Sequence, residues 1–193
     1  MIDPPLGVRW TEHLSGQLTG AAVAEAEVEL DVGVELRDMG AFAADRSSPG
    51  ELVGAVRHPA WGRPLLAGGR FQVATTGPDA VELGYRAVFR ADGRDHVLVG
   101  TKRVRDDPGF DLWSDVSTLF VEVREGSDDG PVMASGELRA GVGDVRRAVA
   151  SLEPTGAHHL RDRARAVTTV GRVLLGRLWE RYGGRAEEAG ASR

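Results

Sequence analysis

Glu12 and Lys102 are the residues of this chain whose placement most invites a chemical role. In "VRWTEHLSGQL", strand alternation puts Val8, Trp10, Glu12, Leu14 and Gly16 on one face, and Arg9, Thr11, His13, Ser15 and Gln17 on the other. A carboxylate therefore shares the apolar side. Lys102 is the single lysine among 24 basic residues, the rest being arginine. The two cations are not equivalent, because a buried lysine can give up its proton and an arginine stays charged. In "HVLVGTKRVR", Leu98, Gly100, Lys102 and Val104 share one face and Val97, Val99, Thr101 and Arg103 the other. Hydrophobicity does not decide which of these faces is interior. If the Leu98 face is interior, Lys102 needs an anion, and Glu12 is its natural partner because an isolated buried charge is prohibitively costly. The ordinary roles are a buried ion pair that fixes geometry, or a solvated lysine. The sharper roles are a polar floor to an apolar ligand cavity, or an acid/base pair.

The candidate ligand contacts around that pair are apolar or aromatic: Trp10, Leu14, Tyr85, Phe89, Leu98 and Trp113. In "AVELGYRAVFRA", Tyr85 shares a face with Val81, Leu83, Ala87 and Phe89, so its hydroxyl is either a ligand contact or a satisfied core group. "RDDPGFDLW" holds Asp106, Asp107 and Asp111, but without the alternating ligands and closing glutamate of an EF-hand. Its Asp-Pro-Gly reads as a turn, with Phe110, Leu112 and Trp113 placed to plug a mouth. The five histidines (His13, His58, His96, His158 and His159) have no metal or triad spacing. No phosphate-binding glycine loop or G-x-S-x-G elbow is present. The expectation is of no metal and no cofactor.

Positioning these side chains falls to strands. Period-two alternation recurs from Val8 to about Val142, in candidate strands Val8–Leu18, Glu27–Leu36, Glu51–His58, Gly68–Thr76, Ala80–Arg90, Arg94–Arg105, Thr118–Arg124 and Val132–Ala140. Asp-Gly within "ADGRD" is the strongest hairpin signal. Eight strands joined by short turns suit a sandwich or a closed up-and-down barrel, since both manage sheet edges. Glycines at 16, 33, 54, 84, 100 and 136 favour barrel corners, where backbones bend or approach closely. The predicted fold is mainly β: an antiparallel, lipocalin-like barrel of about eight strands with C-terminal α-helices. Such a barrel has room for one small ligand. Met39, Phe42 and Ala43 in "RDMGAFAADRSS" predict one or two helical turns, a candidate lid.

The barrel domain is expected over 1–143 and a helical segment over 144–184. In that segment Asp144 caps "DVRRAVASLE", and a basic amphipathic helix follows from Leu160 to Tyr182. Residues 185–193 read as a disordered tail. With no cysteine, net charge -5, no signal-peptide pattern and no run of 18 apolar residues, the chain is expected to be cytoplasmic, without membrane insertion or nucleic-acid binding. The basic helix is read as packing on the acidic barrel rather than on a membrane.

The segments "WTEHLSG", "GYRAVFRADGRDHVLVGTKRVRDDPGFDLWSDVSTLFVEV" and "GELRAGVGDVRRAVASLEPTGAHHLRDRARAVTTVGRVLLGRLWERYG" resemble the accessory domain attached to actinobacterial glucose-methanol-choline (GMC) oxidoreductases of the cholesterol-oxidase-like group. The chain lacks a flavin-binding segment, so oxidase activity does not carry over. The resemblance implies a lipocalin-like cavity of sterol or polyketide size, with a GMC-type oxidoreductase as a candidate partner. It also singles out Glu12, Lys102, Asp106, Asp107 and Trp113, which fall in the matching motifs. The leading expectation is binding of a small lipophilic molecule over a Glu12 and Lys102 floor. The alternative is a cofactor-independent cyclase or isomerase that confines a polyketide or terpenoid intermediate in the same cavity.

Overall fold

The computed structural model describes residues 5–20, 25–45, 49–77, 80–105 and 116–156. Its strands are β1 (Gly7–Thr19), β2 (Ala26–Leu36), β3 (Gly50–Arg57), β4 (Leu65–Gly77), β5 (Ala80–Ala91), β6 (Arg94–Arg105), β7 (Thr118–Glu125), β8 (Val132–Arg139) and β9 (Glu153–Thr155). Among the described residues, helices α1 (Met39–Ala44) and α2 (Val142–Ala150) interrupt them. Each strand from β2 to β8 pairs with the one before it in antiparallel register, and β8 returns to β1, which also pairs with β2. The sheet is thereby a closed eight-stranded barrel, with β9 added along β1.

Alternation explains why these sequences line a barrel. Val28, Leu30, Val32, Val34 and Leu36 of β2 point inward and are buried, while the acidic residues between them face outward. Val81, Leu83, Tyr85, Ala87 and Phe89 do the same on β5. On β6 the Leu98, Lys102 and Val104 face is interior, which resolves the choice hydrophobicity left open. The first helix packs on one end of the barrel. Its Met39 and Phe42 are buried in the core, and Asp38 caps it by accepting the Ala41 N–H.

Closure is uneven. β1 meets β8 only from Ser15 to Thr19, and β9 only from Gly7 to Arg9. Between these ladders the chain leaves the wall as α2, and the Thr11 N–H is taken by the Ser151 hydroxyl at 2.9 Å. Trp10 to Leu14 thus lacks a strand partner on this side among the described residues. The expected capping of the helix by Asp144 is corrected: Gly141 is the N-cap, and Asp144, inside the first turn, accepts the Gly141 N–H at 2.9 Å. Placed there, the carboxylate still answers the exposed donors of the helix start.

Of the glycines expected as corners, three are dictated by close approach. Across the β1–β8 seam, a Cβ on Gly16 or Gly136 would sit 2.1 Å from the facing carbonyl oxygen of Glu137 or Gln17. Gly54, at φ +152°, marks the bulge in β3 where a Cβ would lie 2.0 Å from the Asp31 carbonyl. Gly33 and Gly84, also expected as corners, have ordinary room. The Trp113 mouth plug, the basic helix Leu160 to Tyr182 and the tail lie outside the described residues.

The seam yields a direct test. Gly136→Ala should destabilise the fold by about 2–3 kcal/mol in denaturant unfolding, because backbone must move to admit one methyl group. Gly84→Ala, whose nearest neighbour would be 3.9 Å away, should change stability by less than about 0.5 kcal/mol.

Candidate functional site

Glu12 and Lys102 meet inside the barrel. Lys102 Nζ donates to Glu12 Oε2, although β1 and β6 are separated by β7 and β8 in the wall. Glu12 Oε1 accepts two further bonds, from the Trp10 indole at 2.8 Å and from the Tyr85 hydroxyl at 3.0 Å. The Lys102 ammonium also lies 5.4 Å from the centre of the Tyr85 ring. Local sequence explains the convergence. Trp10 and Glu12 are two apart on one strand, hence on one face, and Tyr85 and Lys102 face inward on the paired strands β5 and β6, where Leu83 is the register partner of Lys102. Phe71 of β4 supports the group edge-on, with ring centroids 5.5 Å from Trp10 and 5.3 Å from Tyr85.

The electrostatics follow from burial set against partners. Burial is the largest influence on the Glu12 carboxyl and pushes its pKa up, but the Lys102 charge and the three hydrogen bonds outweigh it and hold the group below the ordinary glutamate value of 4.5. Burial, then the charge and hydrogen bond of Glu12, raise the Tyr85 hydroxyl well above its ordinary value of 10.0. The site is thus a carboxylate, an ammonium facing it, and a neutral phenol that donates. This arrangement orients and stabilises charge. It is a poor general base, because three donors already hold the anion.

The interior is not equally packed. Leu14, Leu18, Leu30, Val56 and Ala87 have no exposed surface, whereas Trp10 keeps 7%, Leu83 7% and Val81 9%. The side chains of Lys102 and Glu12 keep 6% and 11%. Small residual accessibility thus remains at the polar cluster, as it does at Leu66 and Ala91 toward the other end. Of the expected site residues, the structure brings Trp10, Tyr85, Glu12 and Lys102 together. Leu14, Phe89 and Leu98 are buried nearer the other end of the barrel, where Leu98 pairs with Ala87 and Phe89 with His96. Trp113, Asp106 and Asp107 lie outside the described residues.

Sequence reasoning passed over Leu83 and Val81 as contacts, although their alternation with Tyr85 placed them on the same face. It also passed over the far end, where His58, Trp61, Phe89 and His96 form an aromatic cluster, with ring centroids 4.3 Å apart for His58 and Trp61 and 5.1 Å for Phe89 and His96. His58 Nε2 and His96 Nδ1 are buried there without hydrogen-bond partners, and burial pushes the His58 pKa down. Among the described residues no three acidic or histidine side chains are grouped to hold a metal ion, and no helix is long and apolar enough to cross a membrane.

Comparison with family models, with curated proteins and with solved structures finds no match to the chain. The function therefore has to be argued from the site.

Removing one member of the ion pair should be worse than removing both. Lys102→Met or Glu12→Gln alone should cost about 3–5 kcal/mol, and the double variant less than either single, in a denaturant double-mutant cycle. The acid limb reports the same contact. The Glu12 contribution is complete above its unfolded value near 4.5 and is lost as pH falls through the lower folded value. Stability should therefore drop more steeply below that pH in the wild type than in the double variant. At the alkaline end, Tyr85 favours the fold below about pH 10 and loses that contribution as pH rises.

Proposed function

We propose that the barrel binds a small lipophilic molecule in its interior, over the Glu12 and Lys102 pair. The observation that carries this reading is the polar cluster itself, a carboxylate and a lysine paired among buried apolar side chains, with a little accessible surface left on Val81, Leu83 and the pair. A mostly apolar enclosure with a few convergent polar groups is the usual form of a small-molecule site. An eight-stranded barrel either fills its interior with side chains or holds one small ligand. Here the first describes the end around Leu14 and Leu30, and the second suits the end around the ion pair. A sterol- or polyketide-like size, and a GMC-type oxidoreductase as partner, rest on the sequence resemblance alone.

Binding is favoured over cyclase or isomerase turnover in the same space because the Glu12 carboxylate is already held by three donors, which suits it to orientation rather than proton transfer. Confinement would then be the main catalytic resource left to such an enzyme.

A second space lies on the outside. A groove of about 710 Å³ runs between the end of α2 and the outer face of β1, β2 and β3, and is lined in part by Thr11, Glu35, Val53 and Ser151. The test must separate the two. Titration with Nile red should give a saturable one-to-one site, weakened at least about tenfold by Leu83→Trp, which fills the interior, and unaffected by Val53→Trp in the groove. Absence of a saturable site would sink the proposal, and loss of binding in the groove variant alone would move the ligand outside.

A further inference from the structure

Resting on that reading of the interior, we infer that the ligand is electrically neutral and presents a hydrogen-bond acceptor, such as a ketone, ester or ether oxygen, to the Lys102 ammonium. The donors and acceptors of the cluster can be counted. Both Glu12 oxygens are engaged, Oε1 by Trp10 and Tyr85 and Oε2 by Lys102. The indole has one proton and the phenol one, and Glu12 takes both. An ammonium has three, of which Glu12 takes one, and among the described residues no other acceptor meets Lys102. Among the described residues, the donor capacity left in the cluster is therefore on Lys102, and the complement to it is an acceptor.

Charge narrows the class further. Lys102 and Glu12 balance one another inside an apolar wall, with Leu83 opposite Lys102 and Val32 opposite Glu12. A carboxylate ligand would compete with Glu12 for the one cation and leave an anion uncompensated. An amine would bring a second cation beside the first. Either arrangement buries a net charge, which costs far more than a neutral contact returns. A plain hydrocarbon avoids that cost but leaves the free ammonium protons unanswered. A neutral molecule with one acceptor satisfies both conditions, its apolar body lying against Val81, Leu83 and Trp10.

Competition against bound Nile red tests this with four probes of similar length: methyl decyl ketone, dodecane, dodecanoate and dodecylamine. The ketone should displace the dye at about one tenth of the concentration needed for dodecane, and at a lower concentration than either ion, as expected for one added bond to a charged donor. The carbonyl stretch of the bound ketone should lie below its value in dodecane solution. In the neutral double variant Lys102→Met, Glu12→Gln, with each competitor referred to that variant's own Nile red affinity, the preference for ketone over alkane should be lost. Equal displacement by ketone and dodecane, strongest displacement by dodecanoate or dodecylamine, an unshifted carbonyl stretch, or a preference that survives in the double variant would each overturn the assignment. These results would leave the interior site itself standing. Failure of Nile red to bind at all would remove the interior site and the ligand class with it.

Discussion

A carboxylate placed inside a barrel must be answered from the same interior, and most of what distinguishes this protein follows from how Glu12 is answered. Water is largely excluded there, so the charge is tolerable only with a cation in contact and donors on the remaining lone pairs. Lys102, Trp10 and Tyr85 supply them, from strands β6, β1 and β5. Each contact needs a given strand register, since a slip of one residue would turn Lys102 or Glu12 outward. The cluster and the register of the barrel therefore specify one another.

The same contact explains how an imperfect wall holds. Among the described residues, β1 lacks a strand partner on one side between its short ladders with β8 and β9, and the last rung between β6 and β7 joins Thr101 to Phe120, just before Lys102. The ion pair ties β1 to β6 next to both interruptions. Hydrogen bonds absent from the ladder are offset in part by a bond across the interior. By contrast, the many exposed pairs on the outer surface, such as Arg9 with Glu153 or Arg94 with Glu125, are solvated and add little to stability.

The barrel is thus divided in character along its length. One end is packed with aliphatic and aromatic side chains and closed by the His58, Trp61, Phe89 and His96 cluster. The other carries the polar group and α1. For the proposed ligand-binding role, the packed end would supply a rigid scaffold and the polar group the oriented atoms.

Much of this architecture was legible in the residues themselves. Eight strands were readable because period-two alternation is a local property of the chain, and their observed bounds depart from the expected ones by only a few positions. The three-residue β9 was not, because Glu153–Thr155 has no periodicity and is a strand only through its pairing with β1. The inward side of the Lys102 strand was equally undecided, since Val97 and Leu98 are both apolar and neighbours across the sheet, not the strand's own pattern, choose between them. Sequence alone determined that the chain is β-rich and that a carboxylate shares the apolar face of its first strand, and it left the one lysine either inside or in solvent. Only the tertiary structure decided that they face each other and that Tyr85 and Trp10 complete the carboxylate's bonds. Those outcomes depend on register and closure between strands far apart in the chain, which local alternation does not encode.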